Sequence, residues 1–497
     1  MRRSVTGLVL LGTTFSLVPM FAPTSAPPAA AVGDQSPDFN GDGYADLAVG
    51  AADENNNRGV VHVLYGSASG PSGTGSIVFG EDTPGVPGTA APNDYFGYFI
   101  AHGNINGDAY DDLVVANPSD AVAGKANAGS VTLFRGSASG LNLQGRLFTD
   151  SFGPGTVRAD EFFGNGIALG DFDGNGTDDI AIGTPLDDNH LLDNWSGRVK
   201  ILRSLNGGFS ESRVWMLSRN NLPTPYRSNF TLGFGNTLAT IRGEADFDGL
   251  ALGIAGYSNT VFAQGAVVTF RGGSTSMRYA DFFQGPHGTE TVYGGTAISA
   301  GDISGDGNDD LAIGVPDAAN GQGRVDVIPL GRDRRRLRSP IQMSSSDGGH
   351  APASQDGFGF SVAIVDDAAN AYLYVGAPWD EVGGRVNGGS TYIFEQNGNN
   401  KPKPHSTARI TQPAAVRNGS FGFQITTLDA SNDGFADIVI SSFHTVGGHE
   451  TAGAVWYYDS DDGTPFVGTP VQYNQDTPGV PDRAEDGDAF GGTLAYR

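Results

Sequence analysis

Five times along the chain a nine-residue pattern returns with oxygen-bearing side chains at positions 1, 3, 5 and 9. The first copy supplies Asp38, Asn40, Asp42 and Asp46, with Gly41 and Gly43 easing the turn. Oxygen ligands spaced this way in one tight turn, joined by the backbone carbonyl of position 7, suit a hard cation such as calcium. That carbonyl belongs to Tyr44 in the first copy. The second copy offers Asn104, Asn106, Asp108 and Asp112 with Tyr110, and the third Asp171, Asp173, Asn175 and Asp179 with Thr177. Two more follow: Asp302, Ser304, Asp306 and Asp310 with Asn308, then Asp429, Ser431, Asp433 and Asp437 with Phe435. About five structural calcium ions are therefore expected. The second copy should bind most weakly, because Asn104 replaces the first carboxylate and Ala109 stands where glycine would relax the turn.

Asp, Asn and Gly are also ordinary turn formers, and a single copy carries little weight. Phase decides the matter. Aromatic-glycine pairs recur at Phe96, Phe163, Phe234, Tyr293, Phe358, Phe421 and Phe490, from 59 to 71 residues apart. About eight residues after most pairs comes the acidic loop, and then a short apolar strand such as Asp179-Ile-Ala-Ile-Gly183. A further strand follows a glycine, as in Gly129-Ser-Val-Thr-Leu-Phe134. Four short strands per repeat, with no helical periodicity between them, describe a propeller blade. The fold expected is all-β: a seven-bladed β-propeller of four-stranded antiparallel blades. The last repeat stops at Arg497 before its loop, and the missing remainder begins at Asp38, so both chain ends should close the ring. Such a clasp removes exposed sheet edges.

Two repeats lack the pattern. The fourth aligns Arg242 at position 1 and Leu250 at position 9, and the sixth, Asp366 to Asn370, has no closing Asp. No calcium is expected at either.

The chain begins with Arg2 and Arg3, an apolar stretch from about Leu8 to Ala22, and the run Ala29-Ala30-Ala31. These features define a secretory signal peptide over residues 1–31, leaving 32–497 as one propeller domain. The stretch falls short of the roughly 20 apolar residues that spanning needs, so a secreted, extracellular protein without a membrane span is expected. The formal charge of −26 argues against nucleic acid as a partner, since phosphate binding needs clustered Lys and Arg. Cysteine is absent, so core packing and metal must carry the stability that disulfides give many exported chains.

The Phe-Gly pairs, the acidic loops and segments such as Gly183-Thr184-Pro185, Gly314-Val315-Pro316 and Gly376-Ala377-Pro378 resemble the FG-GAP repeat of the integrin α-subunit propeller. The propeller portion of glycosylphosphatidylinositol-specific phospholipase D is similar too. The resemblance implies a seven-bladed ring with calcium in hairpin loops on one face and partners docking on the other. It implies fold far more narrowly than function.

In an antiparallel meander the loops after the Gly-Ala-Pro segments and those before Phe-Gly lie opposite the acidic loops. Trp195 and Trp379 are expected there as contact residues, the alternative being that each caps its own loop. His444 and His449 share that face, in no zinc spacing. An arginine cluster, Arg332, Arg334, Arg335, Arg336 and Arg338, falls in a turn on the metal face. It reads as a solvated turn balancing acidic loops, or alternatively as an anchor for a polyanion.

Gly66-Ser-Ala-Ser-Gly70 and Gly136-Ser-Ala-Ser-Gly140 place Ala where a nucleophile elbow needs Ser. The sequence thus points to a monomeric binding or adhesion module for an extracellular protein or glycan. The alternative is an extracellular hydrolase acting on phosphodiesters or glycans from the central channel.

Overall fold

In a computed structural model of the protein, the described residues are 36–187, 197–227, 233–242, 247–255, 265–284, 297–366, 370–398, 401–460 and 469–496. The signal segment and Trp195 lie outside them, as does the Tyr293-Gly294 pair.

Seven four-stranded antiparallel sheets form the blades. Blade two is typical: Phe99–Gly103 innermost, then Asp112–Asn117, Ser130–Arg135 and Asn142–Phe148 at the rim. Its inner strand is buried on both faces because it packs between neighbouring blades, and its outer strand alternates exposed and covered residues. The innermost strands of the next blades are Gly166–Gly170, Phe234–Ile241, Ala297–Gly301, Val362–Asp366 and Ile425–Leu428. Blade one is built from both ends of the chain: Thr493–Leu494 pairs with Leu47–Ala51 in the register Val49 to Leu494 and Gly50 to Thr493. The Thr426 hydroxyl of blade seven donates to the Ala495 carbonyl at 2.8 Å, and the ring is closed as expected.

The aromatic-glycine pairs explain how the blades fit. Phe96, Phe163, Phe234, Phe358, Phe421 and Phe490 are fully buried between sheets. The glycine after each takes a left-handed backbone, with φ +86 at Gly97 and +90 at Gly359. A Cβ on Gly183 would stand 2.0 Å from the Gly235 carbonyl oxygen, and one on Gly314 2.0 Å from that of Gly359. The second strand of one blade therefore presses its backbone against the Phe-Gly turn of the next. Ala116 and Ser441 fill the same place in blades two and seven, which sets the upper size there.

Candidate metal loops and the opposite face

Four acidic loops join the inner two strands of their blades and the first leads into the second strand of blade one, so all five gather on one face. Their internal geometry is shared. The Asp38 carboxylate accepts the Gly41 amide at 2.6 Å and the Gly43 amide at 2.9 Å, and Asp171 accepts those of Gly174 and Gly176 at 2.8 and 2.7 Å. Asp302 accepts from Gly305 and Gly307, and Asp429 from Asp433 and Gly434. Position 5 repeats the device on position 7: Asp42, Asp108, Asn175, Asp306 and Asp433 accept the amides of Tyr44, Tyr110, Thr177, Asn308 and Phe435. These bonds curl the backbone so that the side-chain oxygens face inward, and a hard cation is the ligand such a set suits.

Position 9 is the buried member. Asp46 accepts from the Phe39 and Gly66 amides at 2.7 and 2.9 Å, tying the loop to the turn beyond the third strand. Asp310 and Asp437 do the same through Leu330 and Ser460. Burial pushes the carboxyls up: Asp46 to about 8, Asp179 to about 9, Asp310 to about 7 and Asp437 to about 8. A cation beside each would reverse that shift. In the third loop Asp171, Asp173 and Asp179 bring carboxylate oxygens within 4.8 Å of one another, and Asp179 Oδ2 and Asp173 Oδ1 have no hydrogen-bond partner. Among the described residues the other loops do not draw three carboxylates that close. Ser304 and Ser431 hold position 3 in two loops, where the Ser431 hydroxyl is unpartnered.

Arginines enter two of the loops: in the third, Arg203 and Arg213 lie 3.2 and 2.8 Å from Asp173 Oδ2, and in the second an arginine reaches position 9. The Arg135 guanidinium pairs with Asp112 at 2.5 Å, while Asn104 Nδ2 donates to the Asp108 carbonyl and Asn106 Nδ2 to the Asp108 carboxylate. A resident cation already faces its position 9.

Two features escape a reading of the sequence. Position 8 locks neighbouring blades: Asp178 accepts the Asn104 amide at 2.8 Å, Asp248 that of Asp171 at 2.9 Å, and Asp309 that of Arg242 at 2.6 Å. Partners roughly one repeat apart leave no local pattern. The second is a correction in blade four, where Ile241 pairs with Gly249 as Gly170 pairs with Asp179. Its loop is one residue shorter, so Gly249 and not Leu250 holds position 9. A Cβ there would stand 3.0 Å from Arg334 Nε. Arg334, only 4 % exposed, fills that place with its charge between Asp248 and Asp309. The arginine turn is thus not simply solvated: Arg335 donates to the Ala280 carbonyl, and Arg336 lies 5.5 Å from the Phe283 ring centre.

On the opposite face a cavity of about 870 Å³ opens among loops of blades one, two, three and seven, at the mouth of the ring. Tyr98, Asn165, Phe423 and Gly492, just before inner strands, line its floor. Tyr95 and Phe162 line its side with left-handed backbones, φ 58 and 56. The backbone is left-handed at this position in every described repeat, which places glycine at Gly233 and Gly357 and small residues at Ser420 and Ala489. Asp53 is the carboxyl in the lining, raised to about 6 by burial and then by Asp488. Trp379 stands apart, 37 % exposed yet packed on Phe360 at 5.0 Å, so it caps its own loop while keeping one edge in solvent. His444 stacks on Trp456 and bonds Ser442, and His449 lies 3.3 Å from Asp486.

A closed seven-bladed ring with acidic hairpin loops on one face defines the class of protein. The chain carries FG-GAP repeats, matched over residues 35–64, 96–134, 163–202 and 294–328. Those segments hold four of the five acidic loops and none of the two degenerate ones. It is similar to a phosphatidylinositol-glycan-specific phospholipase D of Dictyostelium discoideum, 23 % identical over 75 % of this chain and 35 % of that protein. It is 30 % identical to integrin α-PS2 of Drosophila melanogaster over 33 % of this chain and 11 % of the integrin. Integrin α-4 of Xenopus laevis is 32 % identical over 31 % of this chain and 14 % of its own length. The chain thus spans about a third or less of these relatives. Among the described residues no helix is long and apolar enough to cross a membrane.

Proposed function

We propose that the protein is a secreted, calcium-stabilised propeller acting as an extracellular binding or adhesion module, with its ligand seated in the cavity at the ring mouth. The observation that carries this reading is the pair Tyr95 and Phe162. An aromatic residue in the left-handed region costs about 1 kcal/mol or more, and glycine would remove that cost. The chain instead keeps two rings there, on the wall of its cavity. Other repeats place glycine, Ser420 or Ala489 there, so large rings at this strained position beside the cavity support a role in recognition. Calcium in the acidic loops, up to five ions, would hold the far face rigid while the mouth loops meet a protein or glycan. The integrin relatives support a surface role, and a monomer suffices for it.

The lining favours binding over hydrolysis, because one carboxyl without a paired base or nucleophile meets only part of what hydrolysis requires. The test is Tyr95→Gly and Phe162→Gly on an array of extracellular proteins and glycans. Both variants should melt within a few degrees of the wild type, since relief of strain offsets lost contacts, while capture of the ligand falls at least tenfold. Undiminished capture by both variants would mean that the ligand sits elsewhere.

A further inference from the structure

At several junctions between blades, on the face away from the acidic loops, three loop positions converge. One lies two residues past an outer strand, one two residues before the Phe-Gly aromatic, and one three residues past a second strand. Between blades two and three they are Asp150, Glu161 and Asp187, and cations neutralise them. Arg198 pairs with Asp150 and, at 2.8 Å, with Asp187; Lys200 reaches Asp150 at 3.1 Å; Arg158 reaches Asp187 at 3.0 Å and Glu161 at 3.3 Å. Between blades five and six the positions are Ser345, Asp356 and Asp380, and Arg409 lies 2.7 Å from Asp380. Between blades seven and one, Gln475 replaces the first acid and donates to Glu54 at 2.6 Å.

The junction of blades one and two keeps all three acids and none of those cations. Glu81, Asp94 and Asp120 are 7, 3 and 7 % exposed, with carboxylate oxygens within 4.8 Å of one another. Register gives the reason: Arg198 opposes Thr184 in blade three as Ser130 opposes Asn117 in blade two, so Ser130 and Thr132 stand where Arg198 and Lys200 do. Arg58 bears on Asp94 alone of the three. Neutral oxygens complete the site. Asn117 Nδ2 donates to Glu81 Oε1 at 3.1 Å, and its Oδ1 has no partner although the residue is fully buried. The buried Ser130 hydroxyl bonds Asp120, which also accepts the Ala121 amide, and Asp94 accepts the Ala91 amide at 2.5 Å, whereas the Thr132 hydroxyl and Glu81 Oε2 have no hydrogen-bond partner.

Three buried carboxylates cannot all stay ionised without a counter-charge. The unpartnered oxygens are carboxylate, amide and hydroxyl, with no nitrogen or sulfur ligand among them, which is the donor set of a hard cation. We propose that this junction binds a divalent cation of the calcium class through Glu81, Asp94 and Asp120, with Asn117 and Ser130 as further oxygens. The site is separate from the five acidic loops and goes beyond the binding-module reading. Its placement has a consequence for the cavity: Asp94 lies between Asn93 and Tyr95, and Asp120 follows Ser119, all three of which line the wall. The ion joins two loops that shape the mouth.

The first test reads the wild-type chain: crystals soaked in terbium should give an anomalous peak among Glu81, Asp94 and Asp120, apart from those of the loops. The second counts calcium per chain after gel filtration. Glu81→Gln and the pair Ser130→Arg with Thr132→Lys, which installs the neighbouring junction's cations, should each bind one ion fewer. Asp437→Asn serves as the comparison that empties an acidic loop instead. No terbium peak at the junction, with an unchanged calcium count in both variants, overturns the proposal; a Glu81→Gln chain that gains stability without losing an ion does so in favour of a protonated acid.

Discussion

Chelation of calcium at pH 8 is expected to lower the melting temperature by about 10–20 °C. A ligand at a hundred times its Kd adds about 2.7 kcal/mol per site, and four occupied loops together approach the whole stability of an ordinary domain. In a chain this long each kcal/mol moves the melting point by only about 1–2 °C, which sets the range. The pH dependence should separate the two states. In the chelated chain the carboxyls of Asp46, Asp179 and Asp437 are raised to about 8, 9 and 8 by burial. A group raised in the fold gives its full stability below its unfolded value and loses it as pH rises through the folded value. The chelated chain should therefore become more stable as pH falls from 9 to 6. The loaded chain, whose ligands must be ionised, should not follow, because protons compete with the metal. Calorimetry at both pH values, with calcium and with chelator, checks this. Parallel curves for the two states would mean that the position-9 carboxylates hold no ion.

The ring is legible in the sequence because its two demands are local and repeated. A buried aromatic followed by a left-handed glycine recurs at Phe96-Gly97 and again at Phe490-Gly491, and each pair marks one blade. The clasp follows from where the repeat breaks at the two ends. What stays hidden joins residues about one repeat apart. Asp178 reaches Asn104 across 74 positions, and Asp248 reaches Asp171 across 77, so neither pairing shows in a nine-residue window. The junction acids are hidden for another reason. Glu81, Asp94 and Asp120 come from three loops, and only the pairing of Ser130 with Asn117 reveals that their counter-charges are missing. The order of the strands puts Trp379 on the correct face, but its packing on Phe360 cannot be read from its neighbours in sequence.

Arg334→Ala is expected to destabilise the chain by about 2–3 kcal/mol, more than the same change at Arg335. Arg334 is a buried cation whose loss leaves Asp309, 8 % exposed, without the smaller part of its counter-charge, Arg242 supplying the larger. Removing a buried charge takes counter-charge from the buried acid it faces, whereas Arg335, whose side chain is 62 % exposed in its pair with Asp333, contributes at most about 1 kcal/mol. Asp309 also receives the Arg242 amide at 2.6 Å, so the loss would loosen the contact between blades four and five. Calcium should not rescue the variant, because Gly249 offers no position-9 carboxylate. Arg334→Lys should recover part of the loss, because it restores charge without the fork of donors. Urea unfolding in saturating calcium measures all three variants, and Arg334→Ala should unfold first. If it unfolds at the same urea concentration as Arg335→Ala, the cation does not take the place of a metal ligand in blade four.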